Sequence, residues 1–225
     1  MKRAYQIIAP LALVLISACS ILPKPDPSDV YRLASAPTST QGAPVSWSLR
    51  VSKPQSSEFL DSPRIAVVPN GDLISSYANS RWSDPTPVLL RNRFMDGFQR
   101  DGRVTLLSTD ETNLQADYEL GGQLQAFQSE YHGSAVEVVI RLDARLVRGS
   151  DQRIIASRRF EVKQPVGDTK VPAVVAAFGQ AGDRLNKQVV DWVVQQGNAA
   201  LVARELAPAG LRSSPKTCLL YTSPS

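Results

Sequence analysis

The chain has 225 residues, 43% of them hydrophobic and 20% charged, with a formal net charge of +4 at pH 7. That composition is globular rather than disordered, and removing residues 1–18 leaves 207 (225 − 18), room for one domain with a sizeable core. Lys2 and Arg3 leave with that segment, so the remainder is nearer +2 (4 − 2), too weak to argue nucleic acid, and no basic stripe with interleaved aromatics is present.

Lys2 and Arg3 form a basic start, Ile7 to Ile16 a short apolar run, and Ser17-Ala18 the small residues of a cleavage site. Cys19 follows at once, and a Cys there changes the reading from ordinary secretion to lipoprotein processing. The thiol is acylated and the chain is cut before it. The apolar run is roughly half the ~20 residues that span hydrocarbon, so it is not a membrane helix. Each buried methylene contributes ~0.8 kcal/mol and two or more acyl chains anchor stably, so Cys19 is the expected lipidation site. Ser20 favours the outer membrane, facing the periplasm. A lipidated Cys19 leaves Cys218 without a disulfide partner, and the core must hold the fold.

Residues 19–44 are rich in Pro, Ser, Thr and Ala and read as a tether, with Tyr31-Arg32-Leu33 as a short strand inside it. Val45, Trp47, Leu49 and Val51 alternate with polar residues, the period of a half-buried strand. Arg64–Val68 is a short apolar run that suits a buried strand, and a loop with a possible short strand follows through Trp82. Ser83 or Asp84 offers an N-cap and Pro85 a first helical position for a helix over 85–100, closed by Asp101-Gly102. Val104 to Leu107 opens another strand.

The clearest sheet signal lies between 117 and 166. Val136, Val138, Ile140, Leu142, Ala144 and Leu146 alternate with Glu137, Arg141, Asp143 and Arg145, one dry face and one wet face. Tyr118–Ala126 and Arg153–Val162 flank this strand through short turns, which makes a meander. From 170 to 196, Val171, Val174, Val175, Phe178, Leu185, Val189 and Trp192 recur at helical spacing. Gly197-Asn198 offers a stop, although Ala199–Leu206 can add further turns. The pattern predicts an α+β domain over 45–200, a single mainly antiparallel sheet backed by two main helices. Residues 208–225 carry no amphipathic pattern and read as a disordered or non-native tail.

The chemistry is sparse. His132, the one histidine, falls in a probable turn with no orienting partner and reads as a solvated residue. Gly133-Ser134 is not a nucleophile elbow, Gly121-Gly122 marks a bulge rather than a phosphate cradle, and neither a P-loop nor a dinucleotide fingerprint occurs. No catalytic residue, metal site or cofactor is expected, and the chain reads as a non-enzyme. The segment Tyr77-Ala78-Asn79-Ser80-Arg81-Trp82 differs, because aromatics and arginine supply most binding energy at interfaces. Tyr77, Arg81 and Trp82 are therefore candidate partner-interface residues; the competing reading has Trp82 packed on the sheet.

The lipobox at Cys19, Tyr31-Arg32-Leu33, the strand Arg64–Val68, Tyr77, Arg81-Trp82, the Pro85 helix and the long hairpins with a closing helix occur in one familiar order. Over residues 16 to 197 the chain resembles the ABC-type transport auxiliary lipoproteins, the PqiC-like group. The resemblance implies a non-catalytic role at the outer membrane beside an MCE-type system, in which a permease, an ATPase and a tunnel-forming MCE protein move lipids or other hydrophobic compounds. It implies docking on the tunnel protein, with a homo-oligomer ring as one arrangement. An envelope-assembly lipoprotein that plugs or chaperones an outer-membrane barrel is the alternative.

Overall fold

The computed structural model describes residues 28–34, 42–112 and 114–206. Cys19, the signal segment, most of the tether and the tail beyond 206 lie outside the described residues. In chain order the elements are β1 (Asp29–Tyr31), β2 (Leu49–Val51), β3 (Gln55–Ser56), β4 (Arg64–Asn70), β5 (Leu73–Trp82), helix α1 (Thr86–Asp101), β6 (Leu107–Thr109), β7 (Tyr118–His132), β8 (Ala135–Arg148), β9 (Ile154–Pro165) and helix α2 (Val171–Leu206).

The strands make one mixed, mostly antiparallel sheet organised by β7. On one edge β7 pairs with β8, and β8 with β9, in the expected antiparallel meander. On its other edge β7 receives three short parallel partners in succession, β2 at Tyr118, β3 at Gln123 and β4 at Gln128. β4 turns back into β5, and β1 runs parallel along the far side of β5. Both helices pack against each other, and α2 covers β8 and β9, so the fold class is α+β as the sequence predicts.

The predicted dry face of β8 is dry: Val136, Val138, Ile140, Leu142, Ala144 and Leu146 are all buried. Val139, on the opposite face, is buried as well. It pairs with Gln128 and Lys163, whose long stems can shield it. Trp47, Leu49 and Val51 are buried as their alternation requires, although only Leu49–Val51 form a strand.

Several expectations need correction. Residues 73–82 form a full strand of ten residues rather than a loop with a short strand. Neither Ser83 nor Asp84 caps α1: the Ser83 hydroxyl donates to Asp84 Oδ2 at 2.8 Å, Pro85 occupies the cap position, and the helix begins at Thr86. Its end is as predicted, with Gly102 at φ 76° donating to the Phe98 carbonyl. The bulge in β7 falls between Leu124 and Ala126 and not at Gly121-Gly122. Gly122 is needed instead for close approach, since a Cβ there would stand 2.1 Å from the Asp143 carbonyl oxygen. Of the two endings offered for α2, the longer holds: the helix passes Gly197-Asn198 and continues through Ala199 to Leu206.

Trp82 follows the competing reading, packed on the sheet. Its indole is fully buried, edge-on to Phe127 (5.3–6.0 Å spans its two ring contacts) and to Phe178, which stack on each other 4.7 Å apart. The side chain joins β5, β7 and α2, so it belongs to the core and is not available to a partner.

Candidate functional site

Parity explains how Trp82 turned inward. Ala66 pairs with Ser76 and Arg64 with Arg81, so β5 uses five residues (81 − 76) where β4 uses two (66 − 64). The three extra residues, an odd number, reverse which side chains face the core. Tyr77 and Trp82 therefore both point inward despite opposite parity, and Ala78, Asn79 and Arg81 are pushed outward and exposed. Asn79 adopts φ 50°, a left-handed conformation that Asn tolerates better than most residues. Bulges of this kind re-aim side chains at sheet edges.

Tyr77 anchors the bulge from beneath. Its hydroxyl lies 2.9 Å from the Ser129 hydroxyl, and Ser129 is fully buried. Burial is the main influence on the Tyr77 phenol and pushes its pKa up to about 12, so it remains a neutral hydrogen-bonding group. Arg81 is exposed and makes a long 3.4 Å contact to the Trp82 carbonyl, which leaves its guanidinium presented to solvent. Of the three expected interface residues, the fold thus displays Arg81, half-buries Tyr77 and encloses Trp82. Asn79 is the residue that sequence reasoning missed; its signal lies in the strand register, which is not visible in a single strand.

The tether's last residues are fixed next to this bulge. Asp29 pairs with Ser80, Val30 with Arg81 and Tyr31 with Trp82. Arg93 then clamps the following residues: its guanidinium donates to the Leu33 and Ala34 carbonyls, to the Gly179 carbonyl at 3.2 Å and to Asp183. The Arg93 side chain is 2% exposed, and burial lowers its pKa from the ordinary value.

Two further polar clusters stand out among the described residues. An open basin of about 720 Å³ lies at the opposite end of the sheet, lined by Trp47, Arg50, Asp117, Arg148, Gln152 and Arg204. Asp117 there accepts from the Ser48 amide at 2.9 Å and the Ser48 hydroxyl at 2.7 Å, and these bonds hold its carboxyl below the usual range. Arg148 is paired with Asp151 at 3.0 Å. On the outer sheet face Glu130, His132 and Glu137 bring donor atoms within 4.8 Å of one another. Lys163 stands 3.5 Å from Glu137, and His132 is 61% exposed, so an ammonium ion already competes for that carboxylate. This is a surface ion-pair network on wet strands.

Against that architecture the sequence matches the family described as ABC-type transport auxiliary lipoprotein component, over residues 31–190. The chain belongs to this family. The crystal structure of protein XCC0632 from Xanthomonas campestris is 32% identical, covers 77% of this chain and 98% of its own, and superposes with a TM-score of 0.72. A crystal structure titled only as an uncharacterized protein shares the fold at 15% identity, with a TM-score of 0.58, covering 75% of this chain and 99% of its own. An uncharacterized protein of Bradyrhizobium diazoefficiens, bll6063, is 31% identical over 151 residues, 67% of this chain. The chain spans 40% of the length of that relative. The matched range begins at Tyr31, the last residue of β1, and contains the β5 bulge, Arg93 and the full meander. None of the described helices is long and apolar enough to cross a membrane.

Proposed function

We propose that the protein is an outer-membrane lipoprotein, acylated at Cys19, that serves as a non-catalytic partner of an MCE-type ABC transport system moving lipids or other hydrophobic compounds across the envelope. The family assignment supports the transport role, and the lipobox supports the anchor. The observation that carries the docking part is the β5 bulge, where three inserted residues expose Asn79 and Arg81 beside the point where the tether joins the domain. Arginine is enriched among interface hot spots, and the Tyr77–Ser129 hydrogen bond beneath holds the bulge in shape. In this reading the bulge meets the tunnel-forming MCE protein, and a ring of identical copies would present several bulges to it.

The test uses the full chain, lipidated, in native envelope membranes. Recovery of an MCE-type protein with the wild type, and less of it with Arg81→Ala, supports the reading. Repeated recovery of barrel or assembly proteins in its place would favour an envelope-assembly role.

A further inference from the structure

The N-terminal end of β1 lies toward one defined end of the sheet. β1 runs parallel to β5 with Asp29 against Ser80, so β1 begins on the side of β5's start, the Leu73 end. That end is the β4–β5 hairpin tip, where Asn70 pairs with Leu73 across Gly71-Asp72 and Gly71 takes φ 53°. β4 is parallel to β7, which places this tip beside the β7–β8 turn at Gly133-Ser134; the loop from Pro165 into α2 comes to the same end. The tip carries two apolar side chains in solvent, Leu73 at 63% exposure and Ile74 at 38%.

Reach agrees with direction. Ten residues join Cys19 to Asp29 (29 − 19), a span of at most roughly 36 Å. Seven residues of β5 separate Ser80 from Leu73 (80 − 73), at most about 24 Å. An acylated Cys19 therefore reaches past the tip with chain to spare. Charge does not oppose this: the three loops at this end hold Asp72, Asp168 and Lys170, with no concentration of either sign, whereas the basin end gathers Arg50, Arg148 and Arg204 with Asp117 and Glu119.

We infer that the β4–β5 tip rests in the lipid interface, with Leu73 and Ile74 dipping among the headgroups, so that the Arg-lined basin faces away from the membrane. This rests on the lipid-anchor reading above. It adds an orientation and a second, protein-borne membrane contact. The partner is a bilayer surface, because β1 starts toward the apolar tip and the chain from an acylated Cys19 is long enough to reach it.

The lipidated full chain is reconstituted in phosphatidylcholine vesicles with and without dibrominated acyl chains, as L73W and, at the other end of the sheet, as I154W, which replaces a residue 57% exposed. Flotation is measured on the same samples. The expected result is flotation of both variants, with bromolipid quenching of the emission added by L73W and none of that added by I154W. Flotation without quenching of L73W, or with quenching of I154W instead, overturns the orientation while the anchor stands, and leaves the tip to a protein partner. Loss of flotation overturns the anchor and this inference together.

Discussion

The ring of Trp47 fills a notch that Gly197 leaves in α2. A Cβ on residue 197 would stand 2.5 Å from the ring's Cζ2, and the indole Nε1 donates to Asn198 Oδ1 at 2.9 Å. Trp47 is 2% exposed and lies edge-on to Tyr118 at 5.3 Å, so this contact seals the junction of β2, β7 and α2.

Gly197→Ala should therefore destabilise the protein although alanine favours helix by about 1 kcal/mol over glycine. Overpacking of a close contact costs about 1–3 kcal/mol, and chemical denaturation should show a net loss. An unchanged or higher midpoint would mean that Trp47 moves aside freely.

Arg93→Ala should release the segment that enters the domain. It would strip the Leu33 and Ala34 carbonyls of their donor and remove the Asp183 ion pair, whose carboxylate is 32% exposed, at a cost of about 1–3 kcal/mol. Amide exchange over residues 28–34 should rise more than over the β7–β8 hairpin. Equal changes across the molecule would refute a local clamp.

The long hairpins were legible because β7, β8 and β9 are antiparallel, half-buried strands that write their environment as alternation. Of the short parallel partners of β7, β2 shows in the alternation through Leu49 and Val51 and β4 in the apolar run Arg64–Val68, but β3, two residues long, carries no such signal, and the pairing of all three with β7 joins residues far apart in sequence. β5 was missed because most of its side chains are exposed and its bulge breaks the period of two. The same bulge hid the direction of Trp82, since parity counted from Tyr77 points the indole outward. The helical character of α2 was plain, but Gly197 resembled a stop because its contact, Trp47, lies 150 residues away (197 − 47).

Trp82→Ala should cost about 3–5 kcal/mol, because it empties the centre of the Phe127–Phe178 cluster. Arg81→Ala, on the outer side of the same strand, should stay within about 0.5 kcal/mol of wild type. Thermal and urea melts of the two single variants check the pair. Comparable losses would contradict opposite facing.

Acid should unfold the domain through its paired carboxylates. Bonds from the Ser48 amide and hydroxyl lower the Asp117 pKa; at Asp191 burial works upward, but Arg103 and Lys187 outweigh it and the net shift is also down. Depressed carboxyl groups stabilise the fold fully above the ordinary aspartate value, about 3.9. That contribution disappears as pH falls through their lower folded values. Urea midpoints should hang level on this account from pH 7 to about 5 and fall below about 4. Ser48→Ala should lower the plateau and flatten the acid limb, and an acid limb unchanged by that substitution would contradict the assignment of Asp117.

The most direct measurement is affinity capture from native envelope membranes, comparing Cys19-anchored wild type with Arg81→Ala at equal abundance. The account predicts that an MCE-type protein accompanies the wild type and is depleted with Arg81→Ala, while both proteins melt alike. No MCE-type protein with the wild type, or equal recovery with both, would contradict it.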